Sequence, residues 1–219
     1  MPRALFEKTG MAAYISHLDL MRLFQRSFKR AGLPLTHTKG FNPRPSVSIA
    51  LPLSLGVESV CELLDFELEE DGYSCDDIKE RLNQCLTEGV RVLQVYDNGS
   101  KIKNLAYLSC DVTLEYDGCI PVDALQKIRS LFAATELIVE KKGKNGMTEQ
   151  NIVPMIREIS CEALNHHEIC LKANICCQNP SLNPAQLSAA ISKYLPELTP
   201  DFVRICRQEI YDTNNEIFR

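Results

Sequence analysis

The order of strand-like and helix-like segments narrows the possible folds more than any other feature of the sequence. Alternating apolar residues predict strands, and apolar residues spaced three and four apart predict helices. Over the first 100 residues these patterns follow one another as strand, helix, strand, strand, helix and strand. The predicted ranges are 4–15, interrupted at residues 9 and 10 by a bulge or turn, then 17–31, 46–53, 58–69, 76–86 and 90–96. This order is typical of the ferredoxin-like split β-α-β arrangement, which is an α+β fold.

A second, similar succession begins after a polar linker at residues 97–100, where Asp-Asn-Gly-Ser is typical of a turn. The predicted strands are 106–116, 136–142, 152–163, 168–177 and 202–211, with helices at 121–134 and from Pro184 and a turn at 141–145. We therefore expect two tandem ferredoxin-like domains, residues 1–100 and 101–219, the second with an extra strand. No repeat is visible residue by residue, so the duplication is predicted from the pattern alone.

The first domain contains a basic segment within an acidic chain. Residues 1–57 hold eight Lys and Arg against two acids, a net charge of +6, whereas residues 58–219 carry −11. There is no Asp or Glu between Leu20 and Val57. Such segregation of charge is typical of a surface that meets an anion.

Most of these cations fall on one predicted helix, residues 17–31. Ser16 followed by Asp19 has the spacing of a capping box, in which the hydroxyl accepts from the Asp19 amide and the carboxylate reaches back to the Ser16 amide. Gly32 and Pro34 end the helix. Apolar residues cover one side, and the opposite side carries Arg22, Arg26, Lys29 and Arg30. The alternative is an ordinary solvated face.

The loop after this helix adds a second group of candidate binding residues. It carries Lys39, Phe41, Asn42 and Arg44, and Pro43 and Pro45 favour an extended backbone. Cations, an amide and an aromatic ring on a stiffened loop suit a phosphate backbone with an unstacked base. We therefore predict nucleic-acid binding by the helix and loop together. The alternative is a stiff connection in which Phe41 is buried.

Three residues of the same segment are candidates for catalysis: His17, Asp19 and His37. Two histidines near a phosphate suit acid–base cleavage of RNA, and Asp19 suits a nucleophile. Structural explanations compete with these roles. Asp19 has a function in the helix cap, His17 leans toward the apolar side, and His37 is in a loop.

Ten cysteines without an apolar leader segment indicate reduced thiols and a cytoplasmic protein. No C-x-x-C pair, C-x-x-x-C-x-x-C run, G-x-G-x-x-G, P-loop or H-E-x-x-H occurs, and no apolar run is long enough to span a membrane. A loose cluster has spacings unlike those of structural zinc sites, so we predict no metal and no cofactor in this chain. The cluster consists of Cys161, His166, His167, Cys170 and Cys176.

Several stretches resemble the bacterial radical-SAM-linked domain of unknown function. They are residues 15–22 (ISHLDLMR), 30–34 (RAGLP), 40–45 (GFNPRP), 52–53 (PL) and 55–59 (LGVES), within roughly residues 3–68. Glu62 and Asp65 also fall where that family tends to carry acids. The resemblance implies an accessory role beside a B12-binding-type radical SAM partner, which would hold the iron–sulfur cluster, SAM and B12. Two positions depart from the family: Thr38-Lys39 replaces a common Ser, and Arg44 replaces a common His.

Together these features predict a non-catalytic accessory protein that binds tRNA or rRNA and cooperates with a radical SAM enzyme. An RNA-processing or RNA-modifying enzyme that uses His17, Asp19 or His37 is one alternative. A protein-interaction adaptor that docks its basic face on an acidic partner is the other.

Overall fold

The computed structural model describes residues 1–143 and 146–219, except for the side chains of residues 142 and 143. The chain divides into two compact units, residues 1–104 with Arg219, and residues 105–218. This division falls between residues 104 and 105, whereas the sequence predicted domains that meet at residues 100 and 101. The architecture is α+β, as predicted, because helices accompany antiparallel strands in both units.

The first unit has four strands: β1 (Arg3–Lys8), β2 (Val47–Ala50), β3 (Glu58–Phe66) and β4 (Val90–Tyr96). Its helices are α1 (His17–Arg30) and α2 (Cys75–Asn83), and a 3₁₀ helix spans Gly10–Tyr14. The strands are antiparallel in the order β4-β1-β3-β2. The predicted strand at 46–53 ends early because Leu51 has a positive φ of 50° and is followed by Pro52.

Local signals at both ends set the limits of α1. The Ser16 hydroxyl accepts from the Asp19 amide (3.2 Å) and donates to the Asp19 carboxylate (2.7 Å). That carboxylate therefore reaches the Ser16 hydroxyl, whereas the sequence predicted the Ser16 amide. At the other end Gly32 has φ +68°, and the amide of Leu33 donates to the carbonyl of Phe28 (3.0 Å). This is the Schellman arrangement, which favours glycine at the left-handed position.

The apolar side of α1 packs into the core of the first unit. Phe24 meets Phe6 of β1 edge to face, with ring centroids 4.8 Å apart. Phe28 meets Phe66 of β3 with centroids 4.9 Å apart. All four rings are fully buried. Burial of this side leaves the cationic side of α1 at the surface.

In the part of the second unit that the structure describes there are six strands and two helices. They are β5 (Leu105–Glu115), α3 (Ala124–Phe132), β6 (Ile138–Gly143), β7 (Gly146–Asn151), β8 (Ile156–Ala163), β9 (Glu168–Cys176), α4 (Ala185–Tyr194) and β10 (Phe202–Asp212). Four of the strands form an antiparallel sheet in the order β10-β5-β9-β8. Strands β6 and β7 form a separate antiparallel pair.

Within the described residues, the second unit differs from the sequence prediction in two places. The sequence did not predict β7, because Gly-Met-Thr-Glu-Gln-Asn has no apolar alternation. The predicted strand at 152–163 begins only at Ile156, after a 3₁₀ helix at Val153–Met155. Of the predicted turn at 141–145, residues 144 and 145 lie outside the described residues. No helix in the described part of the chain is long and apolar enough to cross a membrane.

Candidate nucleic-acid interface

The four cations predicted on α1 line one open groove on the outer side of the helix. This basic groove has a volume of about 690 Å³ and is lined by Arg22, Arg26, Lys29 and Arg30, together with Ile15, Asp19, Leu23 and Thr87. All four cations are exposed. The helical spacing predicted from sequence therefore does bring these side chains to one surface.

The groove cations differ in how far they are neutralised. Arg22 pairs with Asp19 at 2.9 Å, and both side chains are about 60% exposed, so water weakens the pair. Within residues 1–143 and 146–219, neither Arg26 nor Lys29 has a carboxylate at ion-pair distance. The hydroxyl of Ser16, and then Arg22, lower the pKa of Asp19 below its usual range. Asp19 is therefore ionised; it pairs with Arg22 and also interacts electrostatically with Arg26, which lies beyond ion-pair distance.

Arg30, at the C-terminal end of α1, connects this helix to the segment that follows α2. Its guanidinium donates to the carbonyl of Cys85, which follows α2. Ser27, which is fully buried, donates to the same carbonyl at 3.2 Å. Arg30 therefore anchors α1 as well as adding positive charge.

The basic loop, residues 37–45, closes on itself as a short hairpin-like turn. His37 pairs with Pro45, the amide of Thr38 donates to the carbonyl of Arg44 (2.8 Å), and the Arg44 amide donates to the Thr38 hydroxyl (3.0 Å). Phe41 is fully exposed, contrary to the alternative that it is buried. The remaining predicted contact residues of the loop, Lys39, Asn42 and Arg44, are also exposed.

The basic loop lies outside the lining of the basic groove. Among the residues that the structure describes, Lys39 and Arg44 have no carboxylate at ion-pair distance. The structure thus gives two sets of cations without such partners, Arg26 and Lys29 in the groove, and Lys39 and Arg44 in the loop.

A second pocket lies at the C-terminal end of α1, and the sequence analysis missed it. This end pocket has a volume of about 520 Å³. It is lined by Gln25, Phe28, Lys29, Gly32, Leu33, Pro34, Leu35, His37, Pro45, Glu69, Glu70 and Tyr73. Lys29 lines both the end pocket and the basic groove. The acidic run at 69–71 beside Tyr73 was the available signal, but nothing in the sequence places it against α1.

The three catalytic candidates are distributed over different surroundings. Asp19 lines the basic groove, and His37 lines the end pocket with its Nδ1 3.8 Å from Glu69 Oε1. His17 lines neither.

In the thiol and histidine cluster of the second unit, the cysteines lie in strands β8 and β9, and the histidines lie in the turn between these strands. Cys161 and Cys170 are buried and Cys176 is half-buried, and burial raises the pKa of all three thiols. His167 Nδ1 lies 3.1 Å from the Gly118 carbonyl oxygen. Within the described residues, no three His, Cys, Asp or Glu side chains are grouped as metal ligands.

Comparison of the sequence with protein families gives one match that extends over most of the chain. A family described as an uncharacterised protein conserved in bacteria, DUF2344, matches residues 2–184. The chain belongs to DUF2344. The matched region contains the basic groove, the basic loop and the end pocket, and it ends before α4 and β10.

Searches of known proteins and structures indicate a shared fold only. No curated protein matches the sequence. A chain from a crystal structure of a Cbf5–Nop10–Gar1 complex is similar at 10% identity with a TM-score of 0.52, over 95% of this chain and 48% of that chain. This DUF2344 protein therefore spans about half the length of that chain. An unknown protein from Galdieria sulphuraria matches at 10% identity over 97% of this chain and 96% of that one, with a TM-score of only 0.26.

Proposed function

We propose that this protein binds single-stranded segments of RNA, in tRNA or rRNA, through the basic groove and the basic loop. The observation that carries the proposal is the pair of exposed cations without carboxylate partners in the described chain, Arg26 and Lys29, beside Arg22 in one groove. The chain as a whole has a net charge of −5, so this positive surface is opposed by the rest of the molecule. A local positive field of this kind attracts a polyanion.

The basic loop supports RNA with unstacked bases as the ligand, in preference to a regular duplex. Phe41 exposes its whole ring between Lys39 and Arg44. An exposed aromatic ring is unfavourable in water unless a partner covers it, and a base stacked on such a ring contributes about 1–3 kcal/mol. Asn42 offers both a hydrogen-bond donor and an acceptor to a base edge.

The strand orders support a finer description of the fold. In each unit the last strand lies beside the first, and the third lies between the first and second: β4-β1-β3-β2, and β10-β5-β9-β8 without the inserted hairpin. Two helices accompany each set. These are the features of the split β-α-β unit, so the proposed architecture is two tandem ferredoxin-like domains.

Salt dependence of RNA binding tests the proposal. A labelled single-stranded RNA is titrated at several salt concentrations, with fluorescence anisotropy as the readout. If about four cations contact phosphates, the slope of log affinity against log salt is about −3, at ~0.7 per contact. Arg22→Gln, Arg26→Gln and Lys29→Gln together should reduce it to about −1.

A control variant with the same net charge shows whether a loss of RNA binding comes from the groove or from the overall charge of the protein. Arg91, Lys101 and Lys103 are also exposed and have no carboxylate at ion-pair distance in the described chain. Replacing all three by Gln lowers the net charge equally, yet should leave the slope near that of the unmodified protein. Binding that is independent of salt, or equal losses in the two triple variants, would refute the groove as an RNA site.

The resemblance noted above supports a radical SAM enzyme as the partner in trans. In this proposal the protein is a cytoplasmic, non-catalytic accessory, and the partner carries the iron–sulfur cluster, SAM and B12. Co-purification of tagged protein from a bacterial host tests it. Absence of a radical SAM protein from the recovered complexes would refute the proposed partner without affecting the proposal of RNA binding.

Two alternatives have specific observations in their favour. The approach of His37 to Glu69 favours an RNA-processing or RNA-modifying enzyme, with His17 and Asp19 as further candidates. Unchanged mass and gel mobility of small RNA after incubation would exclude it. The exposed cations Arg22 and Arg26 favour a protein adaptor that docks its basic face on an acidic partner. The exposed side chains of Met11, Tyr14 and Leu18 would add apolar contacts to such a partner. Competition between RNA and a protein partner for Arg22 and Arg26 would support the adaptor.

A further inference from the structure

The end pocket differs chemically from the basic groove beside it. Its inner wall consists of Phe28, Leu33 and Leu35, which are buried side chains. Its rim carries two carboxylates, Glu69 and Glu70. An apolar wall with a few polar groups at the rim is the usual composition of a small-molecule site, and about 520 Å³ lies within the usual range of volumes.

Backbone hydrogen bonds hold the wall of the end pocket in place without a ligand. The amide of Glu69 donates to the carbonyl of Pro34 at 2.9 Å. Nearby, the amide of Thr36 donates to the carbonyl of Glu67 at 2.9 Å. The Tyr73 hydroxyl lies 3.2 Å from Glu70 Oε2, which fixes that carboxylate. The site is therefore preformed, and a ligand need not order this wall when it binds.

Three polar side chains of the pocket are available to a ligand: Gln25, Glu69 and Lys29. The Gln25 amide makes no side-chain hydrogen bond to any residue in the described part of the chain. Among the described residues, the Glu69 carboxylate has one ion-pair contact, with His37 at 3.8 Å, which is longer than a hydrogen bond. Lys29 extends into the same pocket from the basic groove. The site thus offers one carboxylate with two acceptor oxygens, one amide and one cation.

A carboxylate repels a phosphate but accepts from a base that carries N–H groups. Guanine has two adjacent donors on its Watson–Crick edge, the ring N1–H and the exocyclic N2–H₂, next to the acceptor O6. Adenine, cytosine and uracil each combine one donor position with acceptors on that edge, so a carboxylate pairs with them through one oxygen only. The donor pattern therefore favours guanine.

We infer that the end pocket binds a guanine base of an RNA strand whose phosphates lie in the basic groove. Both oxygens of Glu69 accept from the base N1–H and N2–H₂, and Gln25 or Lys29 donates to O6. Lys29 connects the two sites because it lines both. This inference rests on the proposed function and adds the identity of the base that is recognised.

Base substitution in one short RNA tests the inference. Labelled ten-nucleotide oligouridines carry a single central guanosine, inosine or adenosine; inosine lacks only the N2 amino group. The unmodified protein should bind the guanosine strand about tenfold more tightly than the other two, the size expected when a bidentate contact is lost. Glu69→Gln should remove this preference.

Glu69→Gln should not weaken binding of the RNA strands that lack guanosine. Glu69→Gln removes a negative charge near the RNA, so the adenosine strand should bind equally or somewhat more tightly. Glu80→Gln is the matched control, because Glu80 is exposed on α2 outside the end pocket and the variant has the same net charge. It should keep the full preference for guanosine.

Binding of guanosine 5′-monophosphate, measured by equilibrium dialysis against adenosine 5′-monophosphate, distinguishes this inference from the proposed function. Strong RNA binding with no preference among the three strands would overturn the guanine site and leave RNA binding intact. No RNA binding, but nucleotide binding that favours guanosine and depends on Glu69, would overturn the proposed function and the RNA strand as the source of the base, and would leave the end pocket as a guanine site. Failure of both measurements would overturn both.

Discussion

Gly32 and Gly89 both adopt left-handed backbone conformations, with φ +68° and +79°, but an added methyl group would meet very different surroundings. At Gly32, after α1, no atom lies within 4 Å of the position of the new Cβ. At Gly89, before β4, the carbonyl oxygen of Thr9 lies 2.4 Å away and the Cβ of Ala12 lies 2.9 Å away. Changing each glycine to alanine therefore separates backbone strain from steric exclusion.

The two costs follow from these contacts. Left-handed alanine costs about 1–2 kcal/mol, and the lower entropy of the unfolded alanine chain offsets about 0.4–1 kcal/mol. We expect Gly32→Ala to lower the free energy of unfolding by about 1 kcal/mol. At Gly89 the overlap also displaces Thr9, which breaks the bonds from Thr9 to Gly89 (2.8 Å) and from Ala12 to Thr9 (3.2 Å). At ~1 kcal/mol for each bond, the total is about 3 kcal/mol.

Urea unfolding followed by far-ultraviolet circular dichroism measures the difference. With a denaturant dependence of ~2 kcal/mol per molar urea, the midpoint should fall by about 0.5 M for Gly32→Ala and about 1.5 M for Gly89→Ala. Gly118→Ala is the control, because Gly118 lacks a left-handed φ and its new Cβ meets nothing. If Gly89→Ala costs no more than Gly32→Ala, the close approach of Thr9 to Gly89 is refuted.

Two further predictions concern the helix cap and the buried thiols. Ser16→Ala removes the hydroxyl that accepts from the Asp19 amide and should lower the free energy of unfolding by about 1 kcal/mol, measured by urea denaturation; an unchanged midpoint would contradict this. Burial raises the pKa of the Cys110 and Cys177 thiols to about 12, so Ellman's reagent should modify the exposed Cys119 rapidly and these two only on unfolding. In the unfolded chain these thiols titrate near ~8.5, so the stability that the neutral buried thiols contribute should be lost as pH rises from ~9 toward 12. The urea midpoint should therefore fall over this pH range. It should fall less steeply in the Cys177→Ala variant, which lacks one of the two thiols.

Local sequence signals predicted the parts of the fold that local interactions determine. The limits of α1 differ from the prediction by one residue, because Ser16 and Gly32 act on the adjacent turns of the helix. Strand β4 matches its predicted range, since Gly89 and the alternation of Val90, Val92 and Val95 define it. Polar strand β7 was not predicted, because its place depends on pairing with β6.

In the candidate site, too, the sequence predicted the features that depend on neighbouring residues and left open those that depend on distant ones. The helical period of α1 is enough to predict that Arg22, Arg26 and Lys29 share one face, and the structure brings them to one groove. Two properties were open in the sequence: whether Phe41 is buried, and which cations have carboxylate partners. Both depend on residues that are distant along the chain.

By itself, the sequence determined the α+β class, the cationic face of α1 and the position of the basic loop, because charge, helical period and proline spacing act over a few residues. Only the tertiary structure decided that the end pocket exists. After β3, Leu68 pairs with Leu35, and the Glu69 amide donates to the carbonyl of Pro34. That contact spans more than 30 residues, and it depends on packing α1 and β3 against one core, which no local pattern encodes.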